Sequence, residues 1–191
     1  SVTDHHAVTA PVEQLEGKFI QVNESGLLDL DHLAHLLDEN VALVSVGLVN
    51  GETGIIQDLE PIAEIVRSKA PKALIHTDAV QAFPWLDVAS LAQSADLISI
   101  AGHKFGSPKG VGALVVRNGI EISPMQLGGG QELGIRSGTQ NTAAIVAMAA
   151  AADVTVMERE LTVERVTKMR DVLADNLQGI PQSYHLIRLR V

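Results

Sequence analysis

Cysteine is absent from all 191 residues. Its absence removes disulfide frameworks, zinc–thiolate sites and any sulfur nucleophile from within the chain. Aromatic residues are scarce at 3%, against 46% apolar residues, so a core must be built from Ala, Val, Leu and Ile. Positive charge is also short, with 14 Lys and Arg against 23 Asp and Glu, for a net charge of −9. No basic stripe exists, which argues against nucleic acid as a partner. No run of about 18 apolar residues is present, so no membrane span is expected. The start, Ser1-Val2-Thr3-Asp4-His5, has neither the charged nor the apolar region of a leader, and a cytoplasmic protein is the expectation. It also lacks a methionine and reads as if it begins in mid-sequence.

What is present is alternation. Strand-like runs are expected at Lys18–Asn23, Val41–Val49, Ala73–Thr77, Ala95–Ile100 and Val111–Val116. The run from Val41 is nearly continuous and apolar, as a strand buried on both faces would be. Helical spacing is expected over Leu30–Glu39, capped by Asp29, over Leu59–Ala70, and briefly over Val88–Gln93. The order implies an α/β fold, a mostly parallel sheet with helices on both faces. Only about ten residues join the last two strands, too few for a parallel crossover, so that pair should be antiparallel. Asn141–Gln178 contains no Gly or Pro and reads as one or two long helices. His185–Val191 looks like a terminal strand. The division expected is residues 1–140 as part of one large domain, and 141–191 as long helices leading into a second, smaller one.

Ligands of such sheets bind beyond the carboxyl ends of the strands. Three polar clusters fall there: Asn50-Gly51-Glu52-Thr53-Gly54, His76-Thr77-Asp78-Ala79-Val80-Gln81, and Gly102-His103-Lys104. A lysine ending a buried strand is costly unless paired or covalently used. Imine formation with an aldehyde cofactor such as pyridoxal 5′-phosphate would use it. Asp78 could keep a pyridine nitrogen protonated, and Gln81 could donate to the ring oxygen. The bland alternatives are a turn cap and a surface amide. His103 could reach a phosphate, or be structural. His5 could lie flat on a ring, or be half of an exposed histidine pair. No acidic or cysteine ligand at matched spacing supports a metal site. Gly128-Gly129-Gly130 with Arg136, Ser137 and Thr139 could form an anion-holding loop.

Taken together, these motifs resemble the cysteine desulfurases of the class V aminotransferase group. The residues carrying the resemblance are His76-x-Asp78-x-x-Gln81, then Gly102-His103-Lys104 with Pro108-Lys109-Gly110-Val111-Gly112, then Gly128-Gly129-Gly130-Gln131-Glu132 with Arg136-Ser137-Gly138-Thr139. Their order and spacing match over nearly the whole chain. The resemblance implies pyridoxal phosphate as cofactor, and the large domain of its fold type I. Lys104 would carry it as an imine and move the substrate's α-proton. Asp78 would pair with the ring nitrogen, Gln81 would contact the ring oxygen, and His5 would stack on the ring. His103 would bind the phosphate, Asn50 would lie beside the cofactor, and Thr139 would reach the cofactor of a neighbouring subunit in a homodimer. L-Cysteine would be converted to L-alanine, with the sulfur passed to an enzyme cysteine and on to an iron–sulfur scaffold or other acceptor protein.

Four departures from the family pattern stand out. Gly51 replaces the second of two paired asparagines, Ala101 stands where serine is common, and Leu133 replaces an arginine. Family members also begin earlier, with a phosphate-cradling loop, and end later, with the cysteine-bearing loop and a small domain. The chain therefore looks like a central segment, expected to be inactive alone. A related lyase or aminotransferase, such as a selenocysteine lyase, is a second reading. A catalytically inactive dimerising homologue is a third.

Overall fold

Residues 1–177 are described by the computed structural model, and within them the alternating pattern becomes a four-stranded sheet. Its strands are β1 (Leu43–Gly47), β2 (Leu74–Asp78), β3 (Leu97–Ala101) and β4 (Gly112–Val116), in that spatial order. The pairs β1–β2 and β2–β3 are parallel, and β3–β4 is antiparallel, as the short connection requires. Helix α3 (Leu59–Lys69) crosses from β1 to β2, and the short α4 (Val88–Leu91) from β2 to β3. Before them lie α1 (His6–Gln14) and α2 (Leu30–Leu36). After them α5 runs unbroken over Thr142–Leu177.

Local chemistry sets the helix ends. The Asp29 carboxylate accepts from the His32 amide at 2.9 Å and opens α2. Asp58 does the same for α3 through Glu60, and Asp87 for α4 through Ser90. Helix α3 stops at Ala70, just before Pro71, where the helical conformation is disfavoured. Its buried face, Leu59, Ile62, Ala63 and Val66, joins Leu33, Val44, Val46, Leu48 and Ile75 in one core. Thr77 is fully buried there and donates its hydroxyl to the Val46 carbonyl at 2.9 Å.

Some expectations do not hold. Lys18–Asn23 is not a strand; only Val22 bridges, to Leu28. Asn23 turns the chain by accepting from the amides of Ser25 and Leu27, with Gly26 at a φ of 77°. Strand β1 is not buried on both faces. Val44 and Val46 face the core, while Ser45 and Gly47 are half-buried on the other side and Leu43 is exposed. Helix α2 ends three residues early, because Leu37 is already extended. Helix α1 had no signal in the sequence: it buries no residue, so no apolar period marks it. The strand expected at 185–191 lies outside the described residues. Among the described residues no helix is long and apolar enough to cross a membrane.

Candidate functional site

Parallel pairing aligns the carboxyl ends of β1, β2 and β3. Gly47 stands opposite Asp78, and Asp78 opposite Ser99. The loops that leave these ends carry Asn50-Gly51, Ala79-Val80-Gln81 and Gly102-His103-Lys104. Two of the three polar clusters thus flank the third along one sheet edge.

Asp78 is half-buried at the end of β2. One carboxylate oxygen, Oδ1, accepts from the Val80 amide at 2.9 Å and fixes the side chain in the turn. The other has no protein partner among the described residues. Gln81 leans over the loop after β1. A Cβ built on Gly51 would stand 2.8 Å from Gln81 Nε2 and 3.0 Å from its Cγ. Glycine at 51 is therefore the space that Gln81 fills, a reason the sequence alone does not give.

Lys104 ends a 3₁₀ turn, Gly102–Lys104, that follows β3 directly. The sequence argument placed it at a buried strand end; both His103 and Lys104 are exposed. The turn carries the strand's direction out of the core before the charged residues arrive. Its base is tightly packed: a Cβ on Gly102 would lie 2.7 Å from Ser107 Oγ and 3.3 Å from Met148 Cγ of α5. The next residue, Phe105, is buried against Phe83, with ring centroids 4.6 Å apart. Arg159 of α5 lies 5.8 Å over the Phe83 ring and donates to the Phe83 carbonyl at 3.2 Å. The long helix thus braces the turn holding Lys104 and the turn holding Gln81. Lys104, His103 and Gln81 make no side-chain hydrogen bond or ion pair among the described residues.

His5 caps α1, its Nδ1 accepting from the Ala7 amide at 3.1 Å, so in the neutral ring the proton sits on Nε2. Its segment is tied to the strand edge twice. Asp4 Oδ1 accepts from the Gly47 amide at 3.2 Å, and Asn50 Nδ2 donates to the Thr3 carbonyl at 2.7 Å. The Asn50 oxygen also accepts from the amides of Glu52 and Thr53 and from the Thr53 hydroxyl. Asn50 is thus committed to its own loop and to the His5 segment, with one amide hydrogen left over.

Arg136 and Thr139 are exposed, and no hydrogen bond or ion pair joins them to Asp78 or Lys104 among the described residues. Their loop is held by Ser137, which is buried; its hydroxyl accepts from the Gly130 amide at 3.3 Å. Glu132 and Leu133 adopt left-handed φ values of 50° and 56°. A cavity of about 270 Å³ opens between Val49–Gly54, Trp85 and the Val163–Arg170 stretch of α5, with Gln81 in its wall. Neither Asp78 nor Lys104 lines it.

Sequence reasoning gave no role to His76. It lies on the face of β2 away from the core, between Ser45 of β1 and Ser99 of β3. Ser45 Oγ is 2.8 Å from its Nδ1, and Ser99 Oγ 2.8 Å from its Nε2. Burial lowers its pKa below the ordinary imidazole value, opposed by the charges of Asp78 and Asp4. The available signal was polar residues recurring two apart on one strand, His76 with Asp78.

The donor set fits an aldehyde cofactor with a cationic ring nitrogen. Among the described residues, an amine, an amide and an imidazole without side-chain partners and a carboxylate with one free oxygen stand at or beyond the ends of adjacent strands. Among the described residues no group of three or more His, Cys, Asp or Glu could hold a metal ion.

The sequence matches the family described as aminotransferase class-V over residues 1–189. It is 37% identical over 179 residues to a cysteine desulfurase of Nostoc sp., covering 91% of this chain and 44% of that protein. In structure it is similar to a protein described as NifS-like, with a TM-score of 0.87 and 36% identity, over 94% of this chain and 50% of that one. It is also similar to SspA, solved in complex with cysteine, with a TM-score of 0.72 and 33% identity, over 80% and 46%. The chain spans about half the length of the relatives it matches.

Proposed function

Since this chain belongs to the aminotransferase class-V family, we propose that it is the core of a pyridoxal-phosphate-dependent cysteine desulfurase. In this reading residues 1–140 form the central part of the cofactor-binding domain. The helix beginning at Thr142 leads toward a smaller domain. The assembled protein is a cytoplasmic homodimer, and Thr139 serves the partner subunit's site. Its substrate is L-cysteine, its product L-alanine, and the sulfur passes through an enzyme cysteine to an acceptor of the iron–sulfur assembly type. That cysteine lies outside these 191 residues, which contain none.

The observation that carries the reading is the Lys104 amine, without a partner among the described residues, one turn beyond β3, the strand paired with the one that ends in the half-free carboxylate of Asp78. Bound there, pyridoxal phosphate would supply the electron sink for cleavage at the substrate's α-carbon and loss of its sulfur. Lys104 would hold it covalently through Nζ and, once freed, move the α-proton. Asp78 would keep a ring nitrogen protonated by charge pairing. Gln81 would donate to the ring oxygen, His103 to the phosphate, and His5 would cover the ring face. Asn50 would orient the His5 segment and offer its remaining amide hydrogen.

Borohydride treatment after adding pyridoxal phosphate tests this. Mass spectrometry is expected to find the pyridoxyl mass on Lys104, and Lys104→Ala to lose both the adduct and the visible band. The 191-residue chain alone is expected to release no sulfide or alanine from cysteine, while a longer protein that carries it at its relatives' full length does. No adduct on Lys104 in that longer protein would favour the inactive, dimerising reading.

A further inference from the structure

Ser45, His76 and Ser99 form a polar ladder across the sheet. It crosses three strands and offers the imidazole a hydroxyl at each nitrogen, both at 2.8 Å. A neutral imidazole has one donor and one acceptor, and two hydroxyls satisfy both. Asp78 lies two residues on along β2, on the same face, and Ser99 is its register partner on β3. Two charged groups act on the ring: Asp78 from β2 itself, and Asp4 from the segment before α1, bound to the Gly47 amide of β1. From β1 and β3 the nearest polar groups are the two hydroxyls.

We propose that His76 is a positioning residue for Asp78. Held neutral between Ser45 and Ser99, it leaves the Asp78 carboxylate free to pair with a cationic ring nitrogen; when protonated in acid, it competes for that carboxylate. The inference rests on the pyridoxal-phosphate reading. Burial favours the neutral ring, so the competing state is deferred to lower pH than for a solvent-exposed histidine. The ladder thus acts as an acid limit on cofactor affinity.

The test uses the full encoded protein and two readouts. The first is pyridoxal phosphate affinity, read from its visible band between pH 5 and 8. In wild type it is expected to weaken toward acid by on the order of tenfold, about 1.4 kcal/mol of binding free energy. In His76→Gln, which keeps a donor and an acceptor but does not titrate, that ratio is expected to collapse toward one. An unchanged acid limb in His76→Gln overturns the proposal. The second readout needs no cofactor: the His76 ring is titrated by NMR in the apo protein. Asp78→Asn is expected to move its midpoint to lower pH, and an unmoved midpoint overturns the coupling. If wild type shows no band at any pH, the pyridoxal-phosphate reading fails, while the NMR titration still decides whether His76 and Asp78 interact.

Discussion

At the scale of single residues, the site depends on what each side chain has left to offer. Asn50 spends its oxygen on three donors in its own loop and one amide hydrogen on Thr3. Lys104 spends nothing on any partner among the described residues. Gly51 is explained by contact, since any side chain there meets Gln81 at 2.8 Å. Gly51→Ala is expected to displace the Gln81 amide and weaken pyridoxal phosphate binding by about three- to tenfold, the worth of one hydrogen bond. The binding titration should show this with an unchanged far-UV circular dichroism spectrum. The placement of Asp78, Gln81, His103 and Lys104 at or just beyond strand ends was legible in the sequence, because apolar runs break there into polar residues. The setting of His76 was not, because it depends on Ser45 and Ser99, 31 and 23 residues away.

Elements hold these residues in place through a few specific contacts. Asp96 is nearly buried at the start of β3 and accepts twice from Arg67 of α3, at 2.7 and 2.8 Å. It also accepts from the Ile75 amide of β2 at 2.8 Å. One carboxylate thus joins a helix end to two strands. Asp96→Ala is expected to cost about 2–4 kcal/mol, because it strands a buried amide and a partly buried guanidinium; denaturant unfolding would measure it. Asp58→Ala removes the α3 cap and is expected to cost about 1 kcal/mol, read as a lower thermal midpoint. Strands and capped helices were legible to within a few residues, since apolar period and Asp caps are local signals. Helix α1 and the Val22–Leu28 turn were not, because one buries nothing and the other is set by an Asn side chain.

For the whole molecule, acid stability follows from His76. Its folded pKa is lowered, so the unfolded chain binds the proton more readily. The stabilising contribution is complete above about pH 6.5, the ordinary histidine value. It declines as pH falls from there toward the folded value. His76→Gln should flatten that part of the stability–pH curve in urea titrations at pH 5, 6 and 7. Helix α5 behaves differently from the rest. Met157, Leu161, Met169 and Leu173 are 60–82% exposed along it, and only Ala144 and Met148 are buried. Exposed apolar area of this extent binds hydrophobic dyes. The 191-residue chain is expected to enhance 8-anilinonaphthalene-1-sulfonate fluorescence, and Met157→Glu with Leu161→Glu to reduce it.

The sequence by itself determined the order of the four sheet strands and of helices α2 to α5, the antiparallel last pair, and the residue types gathered at the strand ends. Those follow from local period, connection length and composition. The tertiary structure decided which faces are buried, that Lys104 stands in solvent, that Gln81 fills the place of a side chain at Gly51, and that His76 bridges two serines. These are consequences of register between segments far apart in the chain, and register is fixed only when the shared core closes.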